Sequence, residues 1–204
     1  MNWMVQNEIM SQGRPIEFDP NLALTKAMEV FWCKGYEATS LVDLLDAMGI
    51  SKSSFYQAFR SKHEIFERCL QMFRLRQVEL MTGALQKAPS GRAFLRSMLR
   101  SAAHETTSAV PPKGCLIMNT ASEFSGRDPV ISKLVEDGTK CFAKVFQAAI
   151  ERAQSEGEVD QSKNSQILAR FMVATMSGLK TMAKAGMPGS AIEDVADAAL
   201  AVFD

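Results

Sequence analysis

Apolar residues recur along this chain at intervals of three and four, in runs broken by glycine, proline and helix-capping residues. That periodicity predicts helices, and no hairpin dipeptide sits between alternating apolar runs to suggest strands. Asp19-Pro20 offers an N-cap and a first-turn proline to a helix whose apolar residues are Leu22, Leu24, Ala27, Met28, Phe31 and Trp32, and which ends at Gly35. Ser40 and Asp43 make a capping-box variant for a second helix over 41–48, stopped by Gly49. Ser51 caps a short third helix over 52–58. Ser61 and Glu64 box a long fourth, with Phe66, Cys69, Leu70, Phe73, Leu80 and Ala84 at helical spacing. Ala88-Pro89-Ser90-Gly91 is the clearest break. Beyond it the pattern gives helices near 94–107 and 115–124, a long one opened by Asp128-Pro129 and closed by Gly157, then 162–185 and 190–202. The expected architecture is all-α, with about nine helices: a flexible lead-in at 1–18, a three-helix unit at 19–60, and a larger helical unit at 61–204 begun by a linking fourth helix. Gly138 inside the long helix costs about 1 kcal/mol relative to alanine. It therefore marks a bend or a close approach.

Chemistry concentrates in Leu41–Phe59, LVDLLDAMGISKSSFYQAF. Two helices of seven or eight residues joined at Gly49 form a helix-turn-helix pattern. Helices this short need packing to form, and Leu44, Leu45 and Met48 face Ile50, Phe55 and Phe59 to supply it. Lys52, Ser53, Ser54, Tyr56 and Gln57 remain outside: a cation, short hydroxyls, a phenol and an amide at a helix N-terminus. Such a surface can enter a DNA major groove and read base edges. An ordinary helical hairpin is the alternative, but it gives no reason for that polar cluster.

Composition changes the picture little. Lys+Arg and Asp+Glu are both 23, so overall charge gives no argument for nucleic acid. Between Gly49 and Arg76, however, Lys52, Arg60, Lys62, Arg68, Arg74 and Arg76 face only Glu64 and Glu67, a local net charge of +4. No apolar run is long enough for a membrane span, and the first residues lack a signal-peptide pattern, so a cytoplasmic protein without a membrane partner is expected. Cys33, Cys69, Cys115 and Cys141 form no CxxC pair, and two histidines complete no zinc spacing; neither metal nor cofactor is expected. An enzyme finds no nucleotide-binding glycine motif, and His104, Glu105 and Glu123 are the sole acid–base candidates. An adaptor that has lost DNA binding is favoured by the zero net charge alone. Cys115 follows Lys113-Gly114 at the start of a short helix, a position that favours the thiolate and makes it a candidate redox or electrophile sensor. The other three cysteines lie on apolar helix faces and are expected to be inert.

Over about residues 14–70 the chain resembles the TetR family of transcriptional regulators. The resemblance is carried by GY-x-x-TS at 35–40, GISKSSFY-x-x-F at 49–59 and SK-x-x-IF at 61–66, in order and spacing. Leu45 departs from the small alanine usual at that place. KGCLIMNTASEF at 113–124 is similar to a segment recurring in one branch of the family. The resemblance implies a three-helix DNA-binding domain, a linking helix, and a helical domain that dimerises and binds a ligand. It also implies a repressor released from a palindromic operator by a small molecule. In that frame Thr39, Ser40, Tyr56 and Lys62 are expected on phosphates, and Lys52, Ser53, Ser54 and Gln57 on base edges. Arg14 is a candidate for an adjacent minor groove. An apolar or aromatic inducer is expected among Phe94, Met98, Met118, Phe142, Phe146, Phe171 and Thr175, methionine giving a wall that adapts its shape. A homodimer is expected through the last two helices, with small residues Ala174, Ser177 and Gly178 beside apolar Leu179, Met182, Ile192, Val195 and Ala199.

Overall fold

The computed structural model describes residues 18–124 and 126–204; most of the expected lead-in, including Arg14, lies outside them. Among the described residues are nine α-helices, a closing 3₁₀ turn and no strand. In chain order they are α1 (Pro20–Lys34), α2 (Leu41–Met48), α3 (Lys52–Phe59), α4 (Lys62–Lys87), α5 (Gly91–Glu105), α6 (Leu116–Phe124), α7 (Pro129–Ser155), α8 (Ser165–Lys184) and α9 (Gly189–Leu200). The boundaries follow local chemistry. Asp19, Ser51, Ser61, Ser90, Asp128 and Asn164 each cap a helix with a side-chain oxygen, and Ser40 with Asp43 closes a reciprocal capping box. The fifth helix starts three residues earlier than expected, because Ser90 accepts from the Ala93 N–H at 3.1 Å.

Two apolar cores hold these helices. The first gathers Ala27, Met28 and Phe31 from α1, Leu44 and Met48 from α2, and Phe55 and Phe59 from α3 against the first half of α4. It does not stop at residue 60: Leu116 and Ile117 of α6 and Ile131 of α7 belong to it as well. The second is built by α5, α7, α8 and α9. Helix α4 serves both, giving Ile65 to Phe73 to the first core and Met81 to the second. The buried stripe of α4 thus runs from Phe73 to Met81, and Leu80, one residue off that line, is 66% exposed. Leu22 on α1 is likewise exposed, because Ala23 holds the inward position. At Gly138 the close approach is what occurs. The residue is buried against α6, where a Cβ would stand 3.2 Å from the Ile117 side chain.

Candidate nucleic-acid interface and ligand cavity

The outward face of α3 follows from its length and its core. Phe55 and Phe59, one turn apart, are fully buried, and their rings lie 5.8 Å apart. An eight-residue helix anchored at those two points must turn Lys52, Ser53, Tyr56 and Gln57 to solvent, and all four are exposed. Ser54 is half-buried. Its hydroxyl lies 2.9 Å from that of Ser51, whose oxygen also accepts the Ser54 N–H at 3.1 Å, so it serves the cap as well as the surface. Around this face lie two helix N-termini. Ser40 heads α2 and donates its hydroxyl to Asp43. Lys62 heads α4, its ammonium 4.3 Å from the centre of the Tyr36 ring. Asp43 also takes the Lys34 ammonium at 2.5 Å; that bond and those from Ser40 hold its carboxyl far below the ordinary carboxylate range.

Thr39 corrects the expectation of a phosphate contact. It is buried, its hydroxyl donates to the Gly35 carbonyl at 2.5 Å, and its N–H donates to Tyr36. The residue closes the turn between α1 and α2 and faces away from any ligand of the outer surface.

A cavity of about 380 Å³ opens on the body of the molecule. Met98, Met118, Phe142 and Phe146 line it as expected. Phe94, Phe171 and Thr175 do not. Phe94 is buried behind Phe146, ring centroids 6.3 Å apart; Phe171 turns toward Phe203 at 6.4 Å. On α8 the inward side is instead Val173, Met176, Ser177 and Lys180, so Phe171 and Thr175 are rotated off the wall. Sequence reasoning missed Trp32 of α1, Phe73 and Met81 of α4, and the loop from Val110 to Gly114. Nothing local marks them as neighbours; their meeting is tertiary. Polar groups gather at one side, where Lys180 pairs with Glu105.

Cys115 also lines the cavity, and its thiol is pushed up, not down. Burial is the main cause; the Met118 and Ile117 N–H groups and Lys180 oppose it without prevailing. The expected lowering of the Cys115 thiol is therefore corrected: desolvation outweighs the helix end. Cys33, expected to be inert on an apolar face, is exposed. Glu123 makes no acid–base set with Glu105: it accepts backbone N–H groups of Tyr36 and Glu37, while Glu105 is tied to Lys180. Among the described residues no cluster of possible metal ligands occurs, and no helix is long and apolar enough to cross a membrane.

The expected dimer face divides. Leu179, Ile192 and Ala199 are buried within the chain's own core. Ala174 and Gly178 are exposed on α8, in line with exposed Ile167, and Val195 is 41% exposed on α9.

Comparison with known proteins agrees with this anatomy. The family model described as "Bacterial regulatory proteins, tetR family" matches residues 23–69, and the one described as "Tetracyclin repressor-like, C-terminal domain" matches 91–199. The HTH-type transcriptional regulator YezE of Bacillus subtilis is 28% identical over 94% of this chain and 100% of its own length. The HTH-type transcriptional repressor ComR of Escherichia coli is 29% identical over 86% of this chain and 84% of its own. The TetR family regulator CifR, solved as a cysteine mutant with 26-base-pair operator DNA, superposes with a TM-score of 0.80 at 29% identity, covering 94% of this chain and 100% of CifR. A helix-turn-helix with an outward polar α3, an α4 shared by two cores and a helical body with an apolar cavity are thus the parts of a DNA-binding transcriptional regulator, and the chain belongs to the TetR family.

Proposed function

We propose that the protein is a dimeric repressor that reads a palindromic operator with α3 and is released by a small apolar or aromatic molecule taken into the cavity. The observation that carries this reading is the exposed polar face of α3, held on a fully buried Phe55–Phe59 pair. Lys52, Ser53, Ser54 and Gln57 read base edges, Gln57 being suited to adenine. Phosphates are held by Tyr56, by Ser40 with the first N–H groups of α2, and by Lys62 with those of α4. That ComR is a repressor and CifR was solved on operator DNA supports this assignment.

Two half-sites give the discrimination that one short half-site lacks, so a two-fold dimer follows. Its interface uses the exposed stripe of α8 through Ile167, Ala174 and Gly178 together with Val195 of α9. Nothing lies within 4 Å of a Cβ placed on Gly178, which leaves room for a second helix. Sedimentation at micromolar concentration is expected to give a dimer, and a monomer contradicts this interface. The cavity has the size and the largely apolar wall of a small-molecule site. A ligand that fits only the conformer with misplaced α3 helices shifts the population off DNA. Such a regulator works in the cytoplasm, where the operator is.

The test is a binding profile against random-sequence duplex DNA. Gln57→Ala should relax preference at one position per half-site at a cost of about 1–3 kcal/mol, whereas Lys62→Ala should weaken all sequences alike. An unchanged profile for Gln57→Ala overturns the base-reading assignment.

A further inference from the structure

Residues 113–124 belong to two places at once. Their first part is cavity wall, through Lys113, Gly114, Cys115 and Met118. Their last part is tied to the corner between α1 and α2. There Glu123 accepts two backbone N–H groups, that of Tyr36 at 2.9 Å and that of Glu37 at 2.7 Å, one on each carboxylate oxygen. A carboxylate that takes two adjacent N–H groups is a strong and directional tie, since both bonds are charge-assisted. The corner is shaped to receive it. Gly35 has φ +84°, and a Cβ there would lie 3.1 Å from one Glu123 oxygen. Five residues after Gly35, Ser40 caps α2, so the tie lies just ahead of the helix-turn-helix.

The near end of the segment is tied to α1. The Trp32 indole N–H donates to the Gly114 carbonyl at 3.1 Å, and the Lys113 ammonium pairs with Glu29 while standing 5.4 Å from the Trp32 ring centre. Trp32 itself lines the cavity. A molecule entering the cavity therefore meets a wall fastened to α1 at one end and to the α1–α2 corner at the other. The competing route is α4, which also reaches the cavity with Phe73 and Met81.

We infer that Glu123 is the positioning residue through which the state of the cavity sets the orientation of the helix-turn-helix, with the Trp32–Gly114 bond as a second tie. The inference rests on the proposed ligand-released reading and adds its route: displacement of 113–118 is carried along α6 to the Tyr36–Glu37 corner. Coupling is reciprocal, so operator DNA must in turn steady the cavity wall.

Cys115 reports that wall. The measurement is the rate at which methyl methanethiosulfonate modifies Cys115, followed by mass spectrometry of the peptide, with and without a saturating duplex selected by the protein from random-sequence DNA. In the wild type, the duplex should slow modification by about fivefold or more, the lower end of typical coupling. Glu123→Gln keeps one acceptor oxygen but sets an NH₂ against the other N–H. It should bind duplex at raised concentration yet lose most of that slowing. A merely structural role for Glu123 changes affinity and melting temperature without removing the duplex dependence of Cys115. Full wild-type slowing in Glu123→Gln overturns the inference and leaves α4 as the route, with the ligand-released reading intact. No slowing in the wild type at saturation overturns both. Should Glu123→Gln fail to fold or to bind, Trp32→Phe decides, because it keeps the ring and removes the indole N–H. Reduced slowing supports the tie, and unchanged slowing overturns it.

Discussion

The helix-turn-helix and the cavity differ in how far apart along the chain their parts lie. Between Ser40 and Phe59 the signals that set the outward face are close in sequence, although the core they bury into is shared with α1 and α4: a capping box at Ser40–Asp43, a cap at Ser51, and aromatic anchors four residues apart. The cavity draws on α1, α4, α5, α6, α7 and α8, bringing Trp32 beside Lys113 and Phe146 near Met98. A surface made locally can be read and damaged one residue at a time. A cavity made from distant segments can be reshaped by any of them.

A matched pair of core truncations breaks the comparison most forcefully. Phe55→Ala and Phe94→Ala each remove a fully buried ring, at about 3–5 kcal/mol. The expected outcomes differ in place. Phe55→Ala should abolish DNA binding and leave hydrogen-exchange protection of α5, α7 and α8 in place. Phe94→Ala should lower protection across the body and widen the space behind Phe146. Chemical denaturation with exchange mapped by mass spectrometry separates them. Equal loss of protection in both regions from either variant means that α4 fuses the two cores into a single cooperative unit.

A smaller effect sharpens the local side. Ser51 accepts the Ser54 N–H at 3.1 Å, and Ser51→Ala should cost about 1 kcal/mol through the lost cap. Since Ser51 also orders the Ser54 hydroxyl, operator affinity should fall more than stability alone explains. Chemical denaturation set beside duplex binding gives the two numbers, and equal losses in both limit Ser51 to the cap.

The same contrast governs what could be read from sequence. Caps and periodicity located α2 to the residue and the starts of α1, α3, α4 and α7, because each boundary is set by neighbours within four positions. The outward residues of α3 followed from two buried phenylalanines. Thr39 was misjudged because its hydroxyl turns back onto Gly35, a choice that only the turn geometry decides. On α8 the period was right and the phase was not. Phe171 and Thr175 sit off the wall that Val173, Met176, Ser177 and Lys180 form, and the neighbours that set this rotation come from other helices. Cys115 was placed correctly at a helix start, but its burial depends on the cavity and reverses the expected effect on the thiol.

The least effect is expected where the two regions are pinned by a titrating group. His63 on α4 places Nδ1 2.8 Å from Glu67 and Nε2 2.7 Å from Asp128, which also caps α7 through the Val130 and Ile131 N–H groups. Burial works against the charged imidazolium, but the hydrogen bonds and charges of Asp128 and Glu67 prevail, and the pKa is raised above its ordinary 6.5. A neutral ring can donate to one carboxylate, a charged ring to both. Since the folded pKa exceeds the unfolded one, the stabilisation is fully present below about pH 6.5 and is lost as pH rises through the folded value. Asp128 has the opposite sign: held below its ordinary 3.8 first by the Ile131 N–H and then by His63, it adds stability above that range and loses it in acid. Between pH 5 and about pH 8 only the histidine should therefore move. The melting temperature of the wild type should fall across that window, and that of His63→Gln should stay flat. The drop should be slight, because the His63 side chain is 34% exposed and water screens both pairs. If the two proteins track each other across the window, the charge on His63 adds nothing to the α4–α7 contact.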